Sequence, residues 1–207
     1  MIQREVIIIF GRTGEGKSTL AKKIIARYNR VVVFDTLHEY HGTVFSDFDS
    51  FVDYFQHPDS DFFLVCRFPS PVSFSYAARL LFETQEDILI VLEEADNYLN
   101  SVSFNDAYDP FFQIVTRGRH AKISILAITQ RPTLIAITLR AMSTRVITFC
   151  QTEPGDLDRM EDWGFDPEEV RNLEKFKYLE KTKGGIHDSN DKASPSQHET
   201  PKKDILL

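Results

Sequence analysis

Short, uninterrupted apolar runs alternate along the chain with stretches in which apolar residues recur every three or four positions. The first run, residues 6–10 (VIIIF), is rich in β-branched residues and closed by Gly11, the pattern of a strand buried on both faces. Behind it, Leu20, Ala21, Ile24, Ile25 and Tyr28 fall at helical spacing, while Lys22, Lys23 and Arg27 take the other positions of the turn. Further runs predict strands over 31–34, 61–68, 88–92, 123–128 and 145–149. Amphipathic spacing predicts helices over 48–55, 73–82, 104–115 and 134–142, with two shorter ones at 157–163 and 167–176. Strands and helices in this alternation give an α/β fold, a mostly parallel central sheet covered by helices on both faces. Residues 1–183 read as one domain, and 184–207 as a polar tail, disordered when the protein is alone.

Length and composition narrow this picture. A chain of 207 residues fits a single hydrophobic core, and seventeen phenylalanines are enough to fill a layered one. The net charge of −7 argues against wrapping nucleic acid with the bulk of the surface, yet leaves a local basic loop free to do so. Cys66 and Cys150 both sit in apolar runs, as free thiols do in a reducing compartment. The chain enters its first strand almost at once, and no run reaches eighteen apolar residues. The expectation is a cytosolic protein without a membrane span.

The chemistry is concentrated at the ends of the expected strands. Gly11, Arg12, Thr13, Gly14, Glu15, Gly16, Lys17, Ser18 and Thr19 spell the phosphate loop G-x-x-x-x-G-K-[ST] between a strand and a helix. Several backbone N–H groups must converge on phosphate oxygens there, which calls for glycine and for the positive end of a helix. Lys17 is placed to reach the β and γ phosphates of ATP, and Ser18 to hold Mg²⁺. A chance glycine turn with a surface lysine is the plainer alternative. Glu93 and Glu94 follow the strand at 88–92, and neighbouring residues point to different sides. Glu93 is assigned to the magnesium-water shell, and Glu94 to the base that orients or deprotonates attacking water; a solvated helix start is the competing account. Gln130, after the strand at 123–128, stands where it can sense the γ-phosphate.

In this order "GRTGEGKST", "VVVFDTLHEY", "ILIVLEEADNYL" and "TRGRHAKISILAITQRP" resemble the HerA/FtsK superfamily of RecA-like (ASCE) P-loop ATPases, over residues 6–149. The resemblance implies an ATPase with Glu93 and Glu94 as its acidic pair and Gln130 as its sensor. It makes Arg119 or Arg117 the arginine offered to a neighbouring subunit's γ-phosphate, with Arg140 and Arg145 as other candidates for a finger or a DNA contact. It further implies a homo-oligomer, a hexameric ring, acting on double-stranded DNA. The small size is similar to genome-packaging ATPases of viruses and phages with an internal membrane. Such a motor would work in the host cytoplasm or on the virion at a packaging vertex, beside vertex or membrane proteins. A phage assembly or secretion ATPase that ignores DNA, and a small-molecule kinase, are the rival readings.

Other residues stay open. Asp35, His38 and Glu39 read equally as supports of the nucleotide site or as an ordinary polar strand end. Arg117, Arg119, His120 and Lys122 also suit a solubilising helix end. Trp163 reads as a core anchor, and 171–183 as a basic segment facing DNA, a neighbour or water.

Overall fold

The computed structural model describes residues 3–99 and 107–189. The elements in chain order are β1 (Val6–Phe10), α1 (Lys17–Ile25), β2 (Arg30–Phe34), β3 (Thr43–Phe45), α2 (Phe48–Tyr54), β4 (Phe62–Cys66), α3 (Pro71–Thr84) and β5 (Leu89–Leu92). They continue as α4 (Pro110–Arg117), β6 (Ser124–Thr129), α5 (Ile137–Met142), β7 (Arg145–Thr148), α6 (Pro154–Asp162), α7 (Pro167–Arg171), β8 (Leu179–Thr182) and β9 (Gly185–Asp188). Among the described residues the strands form one sheet in the order β3-β4-β2-β5-β6-β1-β7-β8-β9. Every pairing from β3 to β7 is parallel, and the last two are antiparallel.

Central strands buried on both faces send alternate side chains into two separate cores. Val6, Ile8 and Phe10 of β1 join Val32 and Phe34 of β2 on one side, while Ile7 and Ile9 join Val31 and Val33 on the other. Helices cover the two faces unequally. Leu20, Ala21, Ile24 and Ile25 of α1 cover the second core, whereas α2 to α7 all contribute buried side chains to the first. The phenylalanines concentrate there: Phe34 packs on Phe74, Tyr98 and Phe111 with ring centroids 5.3–5.8 Å apart, in tilted or edge-on arrangements.

Three local readings need correction. The helix expected over 134–142 is a 3₁₀ turn at Pro132–Leu134, then Ile135 with extended backbone, then α5. Pro132 and the β-branched Thr133, Ile135, Ile137 and Thr138 oppose one continuous helix. The chain from Gly184 does not begin as a free tail, because Gly185–Asp188 pairs with β8 as the last strand of the sheet. The expected helix over 104–115 is present from Pro110; its start falls partly outside the described residues, as does 190–207. Trp163 is a core anchor, buried with its ring edge-on to Phe10 at 5.1 Å.

Candidate functional site

The parallel order places the ends of β1, β6, β5 and β2 side by side, and the loops leaving them meet over one cleft. The first is the phosphate loop. Gly16 caps α1 at φ 105°, a left-handed conformation that favours glycine, and no side chain caps the first turn. The N–H groups of that turn are therefore available to an anion. Gly11 is needed for another reason: a Cβ there would lie 2.8 Å from the Cβ of Phe149. Lys17 Nζ donates to the Arg12 carbonyl at 3.0 Å. Burial lowers its pKa, and Glu94, Glu93, Glu39 and Glu15 oppose that shift in favour of the charge.

β5 delivers the acidic pair. Glu93 continues the ladder, its N–H donating to the Phe34 carbonyl, and its side chain is buried. Burial pushes its carboxyl up to about 7; Tyr40 lowers it through a hydrogen bond, and Glu39, Asp35 and Glu94 raise it by repulsion. Glu94 then turns into the left-handed region at φ 48°, ψ 57°. For a residue with a side chain this costs on the order of 1–3 kcal/mol. The turn carries the Glu94 side chain away from that of Glu93, to where the Gln130 amide donates to it at 3.0 Å. Thr13 in turn donates to Gln130 at 3.2 Å. One glutamine thus bridges the second acid and the phosphate loop.

Gln130 is held from behind. Gln151 donates to its carbonyl, and the next residue, Arg131, is tethered by the buried Asp156, which also accepts from the Thr133 hydroxyl. Thr129 donates to Asp96 at 2.8 Å, fastening the end of β6 to the turn after Glu94.

Lys17, Ser18, Glu39, Glu93, Glu94 and Gln130 line this cleft of about 330 Å³. A second cleft, about 560 Å³, continues from it past Gly16, Thr19 and Phe176, which border both. Its walls are Leu20, Lys23, Phe149 and Tyr178, with the Phe149 and Tyr178 rings 5.5 Å apart. Phe176 stands 62% exposed at φ 68°, its ring edge 3.1 Å from where a Gly16 Cβ would be.

Ser18 and Glu93 bring a hydroxyl and a carboxylate to one cleft, an all-oxygen donor set that fits Mg²⁺. The loop after β2 supports both. Ser18 donates to Glu39 at 2.7 Å, and Tyr40 donates to Glu93 at 2.5 Å. The fully buried Asp35 accepts from the N–H groups of Glu39 and Tyr40, and Arg67 pairs with it at 2.9 Å. Of Asp35, His38 and Glu39, the structure thus ties Asp35 and Glu39 to the cleft by hydrogen bonds, and leaves His38 exposed beside them. Tyr40 and Arg67 were not singled out in the sequence, and neither were Phe176 and Tyr178, which lie inside the segment read as basic surface.

The arginines lie elsewhere. Arg117, the last residue of α4, and Arg119, in the loop that leads to β6, are exposed at the end of the sheet where β6 begins, opposite the end that carries the phosphate loop. The length of a six-residue strand, on the order of 20 Å, separates the two ends. Arg140 belongs to the last turn of α5. Arg145 is not available as a finger: it is buried, and it donates to Glu180 at 2.5 Å and to Glu5 at 3.3 Å.

The family model of the central domain of helicase HerA matches residues 2–123. The chain belongs to that family. Its HerA-type fold is shared with the genome packaging NTPase B204 of Sulfolobus turreted icosahedral virus 2, solved in complex with ATP-gammaS, at TM-score 0.72 and 16% identity, over 91% of this chain and 97% of B204. VirB4 of Thermoanaerobacter pseudethanolicus gives TM-score 0.68 at 12% identity, over 93% and 90% of the two chains. The pCW3 conjugation coupling protein TcpA gives 0.54 at 15%, over 90% of this chain and 60% of TcpA. No curated protein matches the sequence. Among the described residues no helix is long and apolar enough to cross a membrane.

Proposed function

We propose that this HerA-family chain hydrolyses ATP and uses the energy to move double-stranded DNA, as a genome-packaging motor. The observation that carries the hydrolytic half is the link Thr13–Gln130–Glu94, which joins the phosphate loop to the second acid of the pair. The triphosphate lies along the N–H groups at the start of α1, which no side chain caps, with Lys17 at the β and γ phosphates. The base enters the aromatic cleft behind Phe176. Glu94 orients a water and accepts its proton as the water oxygen bonds to the γ-phosphorus and the bond to the β-phosphate oxygen breaks, leaving ADP and phosphate. Gln130 holds Glu94 in register with the loop and loses a partner when the γ-phosphate leaves, which makes it the sensor. Ser18 and Glu93 would hold a magnesium ion, which would supply positive charge to the phosphate oxygens.

The DNA half draws on B204, a genome packaging NTPase whose fold this chain matches over 97% of the B204 chain. The test is steady-state ATP hydrolysis with and without long linear double-stranded DNA. Turnover should rise several-fold with DNA and vanish in Lys17→Ala. Glu94→Gln should lose at least about 100-fold in turnover while still binding ATP, the scale set by removal of a general base. Hydrolysis that depends on Lys17 but ignores DNA would move the reading to an assembly ATPase.

A further inference from the structure

The loop after β2 does more than brace the site. Ser18 gives its only hydroxyl proton to Glu39, at 2.7 Å. A hydroxyl committed in this way presents only lone pairs to its other neighbours. Those lone pairs attract a cation and repel a phosphate oxygen, and the Glu39 carboxylate adds its own repulsion of the phosphates from the same cleft. Glu39 does not occupy this place by accident of a loose side chain. Its N–H donates to the buried Asp35 at 2.9 Å, the next N–H donates to the other Asp35 oxygen at 3.3 Å, and Arg67 locks Asp35 from β4's end with bonds of 3.0 and 2.9 Å. The neighbouring Tyr40 occupies one oxygen of Glu93 and leaves the other without a hydrogen bond from it. Two consecutive residues of one loop thus prepare both cation-facing groups, Ser18 and Glu93.

Building on the nucleotide reading above, we propose that Glu39 is a positioning residue that makes tight nucleotide binding conditional on a divalent cation. Without the ion, Glu39 keeps Ser18 turned and the cleft too negative for a triphosphate. With it, the lone pairs of Ser18 are already aimed, and the negative charge of Glu39 becomes favourable. Partners that orient the groups around a metal typically change its affinity by about 10–100-fold.

The test measures affinity, not turnover, using a fluorescent ATP analogue titrated into the full chain in EDTA and again in excess Mg²⁺. Glu39 is exposed, so Glu39→Ala should fold as the wild type does. The expected result is that Glu39→Ala binds the analogue more tightly than the wild type in EDTA and that its gain on adding Mg²⁺ shrinks by about tenfold. Glu39→Gln, which keeps an acceptor for Ser18 but no charge, should fall between the two. An unchanged Mg²⁺ gain in Glu39→Ala overturns the proposal, and so does weaker binding in both conditions, which is what a merely structural loop would give. Failure of the underlying reading looks different: the wild type itself would bind no analogue in either condition, or would bind it equally well as Lys17→Ala.

Discussion

Two arginines that look alike in sequence have opposite positions in the molecule. Arg145 begins β7 with its side chain 8% exposed, bonded to Glu180 and to Glu5, which also accepts from the Tyr28 hydroxyl. Removing one member of a buried ion pair leaves the other charge without compensation and typically costs about 3–5 kcal/mol. Arg145→Ala is therefore expected to lose stability on that scale in denaturant unfolding, whereas Arg119→Ala, at an exposed loop, should stay within about 0.5 kcal/mol of wild type. Equal losses would mean that the pair around Glu180 does not hold this sheet edge. The sequence places Arg145 at the start of a strand but does not show its partners. Arg145 is buried because β8, thirty-odd residues on, brings Glu180 against it, and such a partnership has no periodicity to read. Glu93, Glu94 and Gln130 were legible because each follows directly on an apolar strand, and in a parallel sheet those ends converge.

At the scale of elements, what the sequence hid is the segment between α7 and β8. "EKFKYLE" carries four charged residues interleaved with two aromatics and reads as surface, yet Phe176 and Tyr178 form one wall of the larger cleft. β8 was missed for the same reason, since Leu179 is its one buried apolar residue and Glu180 is buried through its ion pair. The consequence is measurable. An aromatic ring against a nucleobase contributes on the order of 1–3 kcal/mol. Phe176→Ala should weaken ATP binding by about tenfold while leaving inorganic tripolyphosphate, which has no base, bound as before; Phe176→Tyr should restore ATP. Equal weakening of both ligands would place Phe176 over the phosphates instead. β1 to β7, by contrast, were all legible but for the three-residue β3, because strands buried on both faces cannot afford polar interruptions and so announce themselves as unbroken apolar runs.

The whole molecule poses the last question, because its parts are divided between two ends of one sheet. The phosphate loop, the acids and Gln130 gather where β1, β5 and β6 finish, while Arg117 and Arg119 stand exposed where β6 begins. An arginine finger has to place its forked charge on the γ-phosphate, and over about 20 Å of intervening strand neither residue reaches its own subunit's nucleotide. If one of them completes the site it does so for a neighbour, so a ring would contain sites built from two chains. Complementation tests this directly. Arg119→Ala alone should bind ATP but turn over slowly, and Lys17→Ala alone should not turn over at all. Mixed, a Lys17→Ala subunit still offers Arg119 to an Arg119→Ala neighbour whose phosphate loop is intact, and part of the activity should return, increasing with protein concentration as subunits associate. Repeating the mixture with the double variant Lys17→Ala/Arg119→Ala as donor removes the one group that the rescue depends on. Recovery that survives this change, or no recovery in either mixture, would exclude Arg119 as the shared residue and direct the same experiment to Arg117.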